Sequence, residues 1–346
     1  MKPARILLFF LIFSNLVLSQ SKAKAEAWET SKMLGVNVKD FPNPQGVGNF
    51  DDLPETSPEF KFRVVKRPST GQAPRPSYEV RSIVKAKASD GTIYEAFCGR
   101  FDAKKLWPGF GEASTNANPR QQYESLYGYG FNPADIFIGK REGGRIKTSL
   151  FFRDVGSHET APHYISIDNS GRLHLIVSDV NISDNNELNV YAVIGDPKAG
   201  KWQEACLLDR RGFTSWSHPW NGSWQDKTHY LWDWGDANYD TENPNMGLFH
   251  VEHGANGLGR KVRVISGIVE SFGAAIDPRT GRLVVVAARE DGVFISSRDG
   301  VGKWTRPVRL DATLNKRYDV SITQVGLDFV IRTAPGSDRE WVVRPQ

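Results

Sequence analysis

Cysteine is scarce in this sequence. The 346 residues hold two, Cys98 and Cys206, and neither stands in the Cys/His spacing of a structural metal site. No metal and no other cofactor is expected. Whether the two thiols bridge, or lie apart on separate strands, is left open by sequence. An excess of charge of one sign is lacking as well. Against 44 Lys and Arg stand 40 Asp and Glu, interspersed, for a net charge of +4. That balance argues against nucleic acid or an anionic membrane as partner. Sustained apolar helical periods are few, which argues against a helical domain.

What is present is turn chemistry and aromatic residues: 32 Gly, 19 Pro and 10 Trp. With many short apolar runs between turn signals, this composition points to an all-β protein. Residues 1–25 read as a secretory signal. Lys2 and Arg5 precede an apolar run from Ile6 to Leu18, and Ala23 and Ala25 offer a small-x-small cleavage site. The run is short for a membrane anchor. A secreted or periplasmic protein is expected, free of the membrane after cleavage and a monomer.

Residues 270–311 organise the rest. They read as four short strands and three turns. Ser271 to Ile276 is small and apolar, and Asp277 to Gly281 is a turn with Pro and Gly in place. Leu283 to Ala288 is a continuous apolar run, suited to a strand buried on both faces. Forty-two residues of four-stranded meander is the size of one β-propeller blade. The unit recurs. Gly171-Arg172-Leu173 repeats as Gly281-Arg282-Leu283, and Gly200-Lys201-Trp202 with Leu208-Asp209 repeats as Gly302-Lys303-Trp304 with Leu310-Asp311.

In chain order, residues 26–57 are an irregular lead-in and residues 58–346 a single propeller domain. The first blade spans 78–152, with a Gly- and aromatic-rich insertion at 102–133; the next three span 163–209, 214–266 and 270–311. Residues 318–346 supply about half a blade, and the strand at 59–65 is placed to complete it. Five blades of four antiparallel strands are favoured, with six as the alternative.

Each first strand of a blade lines the central axis, and each second strand ends near the face where the first begins. Second strands end at Arg100, Asp179, Asp233, Arg289 and Arg332; first strands open at Arg81, His163, His218, Glu270 and Tyr318. Three arginine forks on one face suit a carboxylate-bearing sugar. The alternative is that each arginine pairs with a neighbouring carboxylate. Aromatic residues flank this face, including Trp107, Tyr127, Tyr129, Trp216, Trp220, Trp224 and Trp232. They serve either to stack on sugar rings or to pack between sheets.

These residues resemble the sialidase (neuraminidase) superfamily with its Asp-box, or BNR, repeats. Ser297-Arg-Asp299-Gly300-Val-Gly302-Lys-Trp304 is similar to an Asp box, and residues 78–100 to the family's opening segment. The resemblance implies Arg100 at the family's Gly-Arg position, Arg289 as an arginine of the carboxylate clamp with Arg332 or Arg339 as its last member, Asp102 near the acid/base aspartate, and Tyr318 as a candidate for the nucleophile polarised by Glu270. Glu79 stands at the family's first arginine, with Arg81 two residues on. Three functions follow in order. The first is a glycosidase on an acidic or complex glycan, with Asp102 as proton donor and Tyr318 or Glu270 as the second group. The second is a non-catalytic glycan- or protein-binding propeller. The third is a polysaccharide lyase, whose base and acid would come from His163, Tyr164 and His218. Asn181 and Asn221 head glycosylation sequons.

Overall fold

The structure, a computed structural model, describes residues 38–40, 50–65, 84–98, 136–142, 145–152, 164–180, 188–212, 219–234, 245–311, 319–334 and 339–346. Every regular element among them is a strand, and none is a helix able to cross a membrane. The strands form five sheets among the described residues. Blade 1 is Val84–Lys87, Ile93–Cys98, Ile136–Glu142 and Arg145–Phe152. Blade 2 is Ile165–Ile167, Leu173–Val180, Leu188–Asp196 and Lys201–Gly212. Blade 3 is Trp220–Trp224, Lys227–Trp234, Gly247–Gly254 and Val262–Ser266. Blade 4 is Ser271–Ile276, Leu283–Arg289, Gly292–Arg298 and Val308–Asp311. Blade 5 takes Asp319–Val325, Asp328–Ala334 and Glu340–Pro345 from the end of the chain and Phe62–Val64 from near its start.

From blade 2 to blade 5, each first strand packs against the first strand of the blade before it. Innermost first strands with sheets face to face are the architecture of a β-propeller. The alternation of strand side chains explains why the central sequences are apolar throughout. In blade 4, Leu283, Val285 and Ala287 pack with Leu231 and Leu248 of blade 3. Their neighbours Val284, Val286 and Ala288 pack with Phe329 and Ile331 of blade 5. Both faces of the sheet are buried, so period-2 alternation separates two partners rather than core from solvent.

The internal repeats have structural reasons. Trp202 and Trp304 both fill the seam toward the preceding blade, at 9% and 7% exposure. A carboxylate in the turn ahead of each caps backbone N–H groups: Asp196 Oδ1 accepts from Lys198 and Ala199, and Asp299 Oδ1 from Lys303. The Leu-Asp pair recurs because its aspartate reaches the next blade. Asp209 of blade 2 meets Lys261 of blade 3 at 3.2 Å, and Asp311 of blade 4 meets Arg339 of blade 5.

The N-terminal segment binds the ring from outside. Val38–Asp40 runs parallel to the outer strand of blade 2, and Asp51–Asp52 parallel to that of blade 3. Glu59 bridges Arg306 of blade 4. Phe62–Val64 then pairs antiparallel with Glu340–Pro345 as the fourth strand of blade 5, as the expected closure by residues 59–65 requires. The stretch read as an irregular lead-in therefore contributes two very short strands to sheet edges. Carboxylates of the N-terminal segment meet arginines of blades 3 and 4: Asp51 with Arg260 at 2.6 Å, Asp52 with Arg263 at 2.5 Å and Glu59 with Arg306 at 2.9 Å. Such exposed pairs are worth little singly. The apolar anchors weigh more, with Phe50 edge-on to Phe249 at 5.0 Å and Phe60 buried between blades 4 and 5.

Two predictions follow from the repeats. Trp304→Ala empties a seam position and should cost about 3–5 kcal/mol in urea unfolding; a change near zero would contradict the packing role. Gly171 and Gly281 occupy matching turns with φ of +82° and +70°. A Cβ on Gly171 meets nothing within 4 Å, whereas on Gly281 it would lie 2.3 Å from the Trp224 ring. Gly171→Ala should cost about 1–2 kcal/mol, the left-handed strain alone, and Gly281→Ala clearly more. Equal melting temperatures for the two variants would refute the difference.

Candidate functional site

The face of interest is where first strands begin and second strands end. Of the residues expected there, Asp102, Tyr318, Arg81, Arg100, His163 and His218 lie outside the described residues. Asp233, Glu270, Arg289 and Arg332 are described. Asp233 is buried one residue before the end of blade 3's second strand. Glu270 immediately precedes blade 4's first strand, held there because its N–H donates to the Ala288 carbonyl at 2.9 Å. Arg289 ends the neighbouring strand. Its guanidinium donates to both oxygens of Asp291 at 2.9 and 3.2 Å and to the Ser266 carbonyl at 2.6 Å, and lies 4.6 Å from the Phe294 ring centroid. Arg332 donates to Glu340 at 2.8 Å. These partners sit on third and fourth strands or the turn before them. Both arginines are thus paired with a carboxylate of their own blade, one strand outward from the axis.

An aromatic pair was less visible in sequence. Tyr164 stands directly ahead of blade 2's first strand with 47% of its surface exposed. Its ring centroid lies 6.1 Å from that of Trp220, which opens blade 3's first strand. Trp220 and Trp232 are core residues, and Trp224 lies on Gly281 while its indole N–H donates to the Pro278 carbonyl. Most of the described tryptophans thus serve packing, and among the described residues Tyr164 is the large aromatic side chain this face shows to solvent.

Polar chemistry concentrates in the two seams of blade 3. Four of the seven histidines are buried there: His174, His229, His250 and His253. Burial holds the His174 ring below its usual pKa, so it is neutral. Burial alone would raise Asp168, but hydrogen bonds from His174, Ser170 and the Arg172 N–H outweigh it and keep the carboxylate ionised. His174 Nε2–H therefore donates to Asp168 at 3.0 Å, and Nδ1 accepts the Tyr230 hydroxyl at 2.7 Å. The Tyr-His-Asp relay looks catalytic in composition. All three side chains are buried and burial pushes the Tyr230 hydroxyl well up, so it ties blade 2 to blade 3. In the other seam, the Trp304 indole N–H must donate, which makes His250 Nδ1 an acceptor at 3.3 Å. His250 Nε2–H then donates to His229 Nδ1 at 3.1 Å. Asn221, expected as a glycosylation acceptor, is 3% exposed and donates to the His174 carbonyl at 2.8 Å. Its sequon is part of the core. Among the described residues no cluster of His, Cys, Asp and Glu is arranged to hold a metal.

No protein-family model matches this chain, and no curated protein matches it. Solved structures resemble it in fold. A Hadza microbial sialidase aligns over 75% of this chain and 57% of its own at 8% identity and a TM-score of 0.41. A xylan beta-1,4-xylosidase from Bacillus halodurans aligns over 76% and 51% at 11% identity and a TM-score of 0.37. An ulvan lyase aligns over 76% and 64% at 10% identity and a TM-score of 0.36. The chain thus spans less than two thirds of the length of each.

Acid should loosen both seams. His229 is held at about 3 by burial and by the Arg298 and Lys227 charges, against 6.5 for a free imidazole. His250, His174 and His253 are lowered in the same direction. An unfolded chain takes up these protons first, so the stability is full above pH 6.5 and is lost as pH falls from there. For His229 alone the loss is about 2 kcal/mol by about pH 5. Melting temperature measured against pH should fall steadily below about 6.5, and His229→Gln should flatten that slope. A flat profile down to about pH 4.5 would rule out neutral histidines as the seam acceptors.

Proposed function

We propose that this propeller acts on a carbohydrate at the face where first strands begin, cleaving a glycosidic bond of an acidic or complex glycan. The observation carrying this reading is the exposed Tyr164 beside Trp220 at the entrance of adjacent first strands. An aromatic face open to solvent matches the apolar face of a sugar ring, and the titratable side chains around it supply hydroxyl partners. In this reading Asp102 donates the proton to the leaving oxygen, Glu270 polarises Tyr318, and Arg100, Arg289 and Arg332, with Arg81, surround the acidic group. The same reading assigns His163, His218 and Asp233 to ligand binding at that face. Binding an acidic sugar at Arg289 then means exchanging Asp291 for the ligand carboxylate, a swap of one charged hydrogen-bond acceptor for another.

One observation favours a second reading, binding without catalysis. Arg289 and Arg332 already have carboxylate partners, Asp291 and Glu340, and an arginine so engaged needs no ligand to balance its charge.

The test is incubation with sialylated, uronate-containing and neutral glycans, assayed for new reducing ends and for an ultraviolet-absorbing unsaturated product. Hydrolysis predicts reducing ends that disappear in Asp102→Asn. A lyase would give the absorbing product, and binding alone would give neither. Tyr164→Ala should weaken glycan binding about tenfold under any of these readings, and undiminished affinity would remove the carbohydrate face. Arg289→Lys should weaken acidic sugars and spare neutral ones, since lysine keeps the charge but loses the fork.

A further inference from the structure

A cavity lies at the opposite end of the strands from the face where first strands begin. It holds about 540 Å³ in the seam between blades 3 and 4, where the turn at Asp226-Lys227 and the turn from Gly300 to Lys303 approach each other. His250 and Trp304 form part of its wall. Their mutual ring nitrogens are consumed by the hydrogen bonds described above, so the cavity's polar chemistry falls to charged neighbours.

Arg298 is the central one. Its side chain is only 11% exposed, and among the described residues its ion pair is with Glu252 at 2.6 Å. Gly302, at φ +99°, lies so close that a Cβ would come within 2.9 Å of Arg298 Nη2. The turn is thus shaped around the guanidinium. Lys227 reaches the other oxygen of the same carboxylate, at 3.4 Å. Two cations therefore share one anion, and among the described residues of the inner cavity Arg298 and Lys227 outnumber Glu252. That charge adds to burial in lowering His250 in the wall and His229 hydrogen-bonded to it. At the mouth, Arg260 is already paired with Asp51, and Asp226 is exposed, where water screens it. A net charge held in a half-buried site is unfavourable without a counter-ion, and the guanidinium offers donors beyond the one facing Glu252.

The geometry points to this seam cavity as a binding site for a small oxyanion, a sulfate or carboxylate group bridging Arg298 and Lys227. The site is independent of the carbohydrate face. It has the surplus charge, the donors and the room, and its floor is set by the inter-blade contact of Trp304 with His250.

Titration calorimetry of the full chain in a constant chloride background, with sodium sulfate and separately with sodium glucuronate, tests it. One saturable site is expected, weakened at least tenfold in Lys227→Met. Lys227 is half-exposed, so this variant should fold; Arg298→Gln should abolish binding wherever its circular dichroism and melting remain native. Arg344→Met in blade 5 should leave the affinity unchanged. Saturation by sulfate alone assigns the site to an inorganic anion, and glucuronate heat that Lys227→Met weakens assigns it to a sugar-borne carboxylate as well, since glucuronate held at the carbohydrate face would be indifferent to Lys227. No saturable heat from either, or full affinity in Lys227→Met, overturns the proposal. Neither result depends on whether Tyr164→Ala alters glycan binding.

Discussion

Burial of both faces of blades 2, 3 and 4 is the constraint on which the rest of this structure depends. A sheet with one wet face can place polar residues at every second position. Here the second position faces another blade. In blade 4, the run from Leu283 to Ala288 has no solvent side, and its odd and even members contribute to different seams. Polar side chains that enter such a seam must therefore find partners across it. This is why Asp168, His174 and Tyr230 form a closed relay, and why Asp209 is met by both Lys261 and the Trp232 indole N–H.

Closure is a separate problem from seam packing, and it is solved at the outer edges. The last blade takes three strands from the end of the chain and its fourth from residues 62–64. On the way there the chain touches the outer edges of blades 2, 3 and 4. An open strand edge invites pairing with another chain. The segment that completes blade 5 thus also occupies edges that would otherwise be open. Its acidic residues against Arg260, Arg263 and Arg306 set register more than they add stability, since exposed pairs contribute little. Phe60 and Phe50 hold it down.

The fold was legible because its signals are local. A turn carrying Gly281-Arg282-Leu283 and a strand of six apolar residues are each contained within a few positions, and recurrence at Gly171 and Trp202 identifies a repeat. The site was less so. A second strand ending in arginine specifies where Cα lies, and Arg289 nevertheless turns outward to Asp291 two residues later. Side-chain direction at a strand end depends on the following turn, which strand-end alignment does not weigh. The histidine network was invisible for the opposite reason, its members being far apart in sequence. A signal did exist. His250 shares parity with Leu248, and His229 with Leu231, both of which face blade 4. His253 shares parity with Phe249 and Val251, which face blade 2. Once a run is known to be buried on both faces, strand parity assigns each polar residue to a seam.

Why imidazoles should fill these positions follows from what a seam demands. Trp304 offers a donor with no acceptor capacity, and Tyr230 offers a hydroxyl whose burial keeps it protonated. Across from each, the structure needs an acceptor that is neutral, because an unpaired buried carboxylate would carry a large desolvation cost. A neutral imidazole accepts at one nitrogen and donates at the other, from a flat ring that packs like an aromatic residue. His174 thus joins Tyr230 to Asp168, and His250 joins Trp304 to His229. An asparagine could also accept at one atom and donate at another, but its shorter side chain would not fill the seam. The same choice makes blade 3 the place where acid acts first. Protonating His250 or His174 turns an acceptor into a donor facing a donor, so one proton removes an inter-blade hydrogen bond and inserts a charge together.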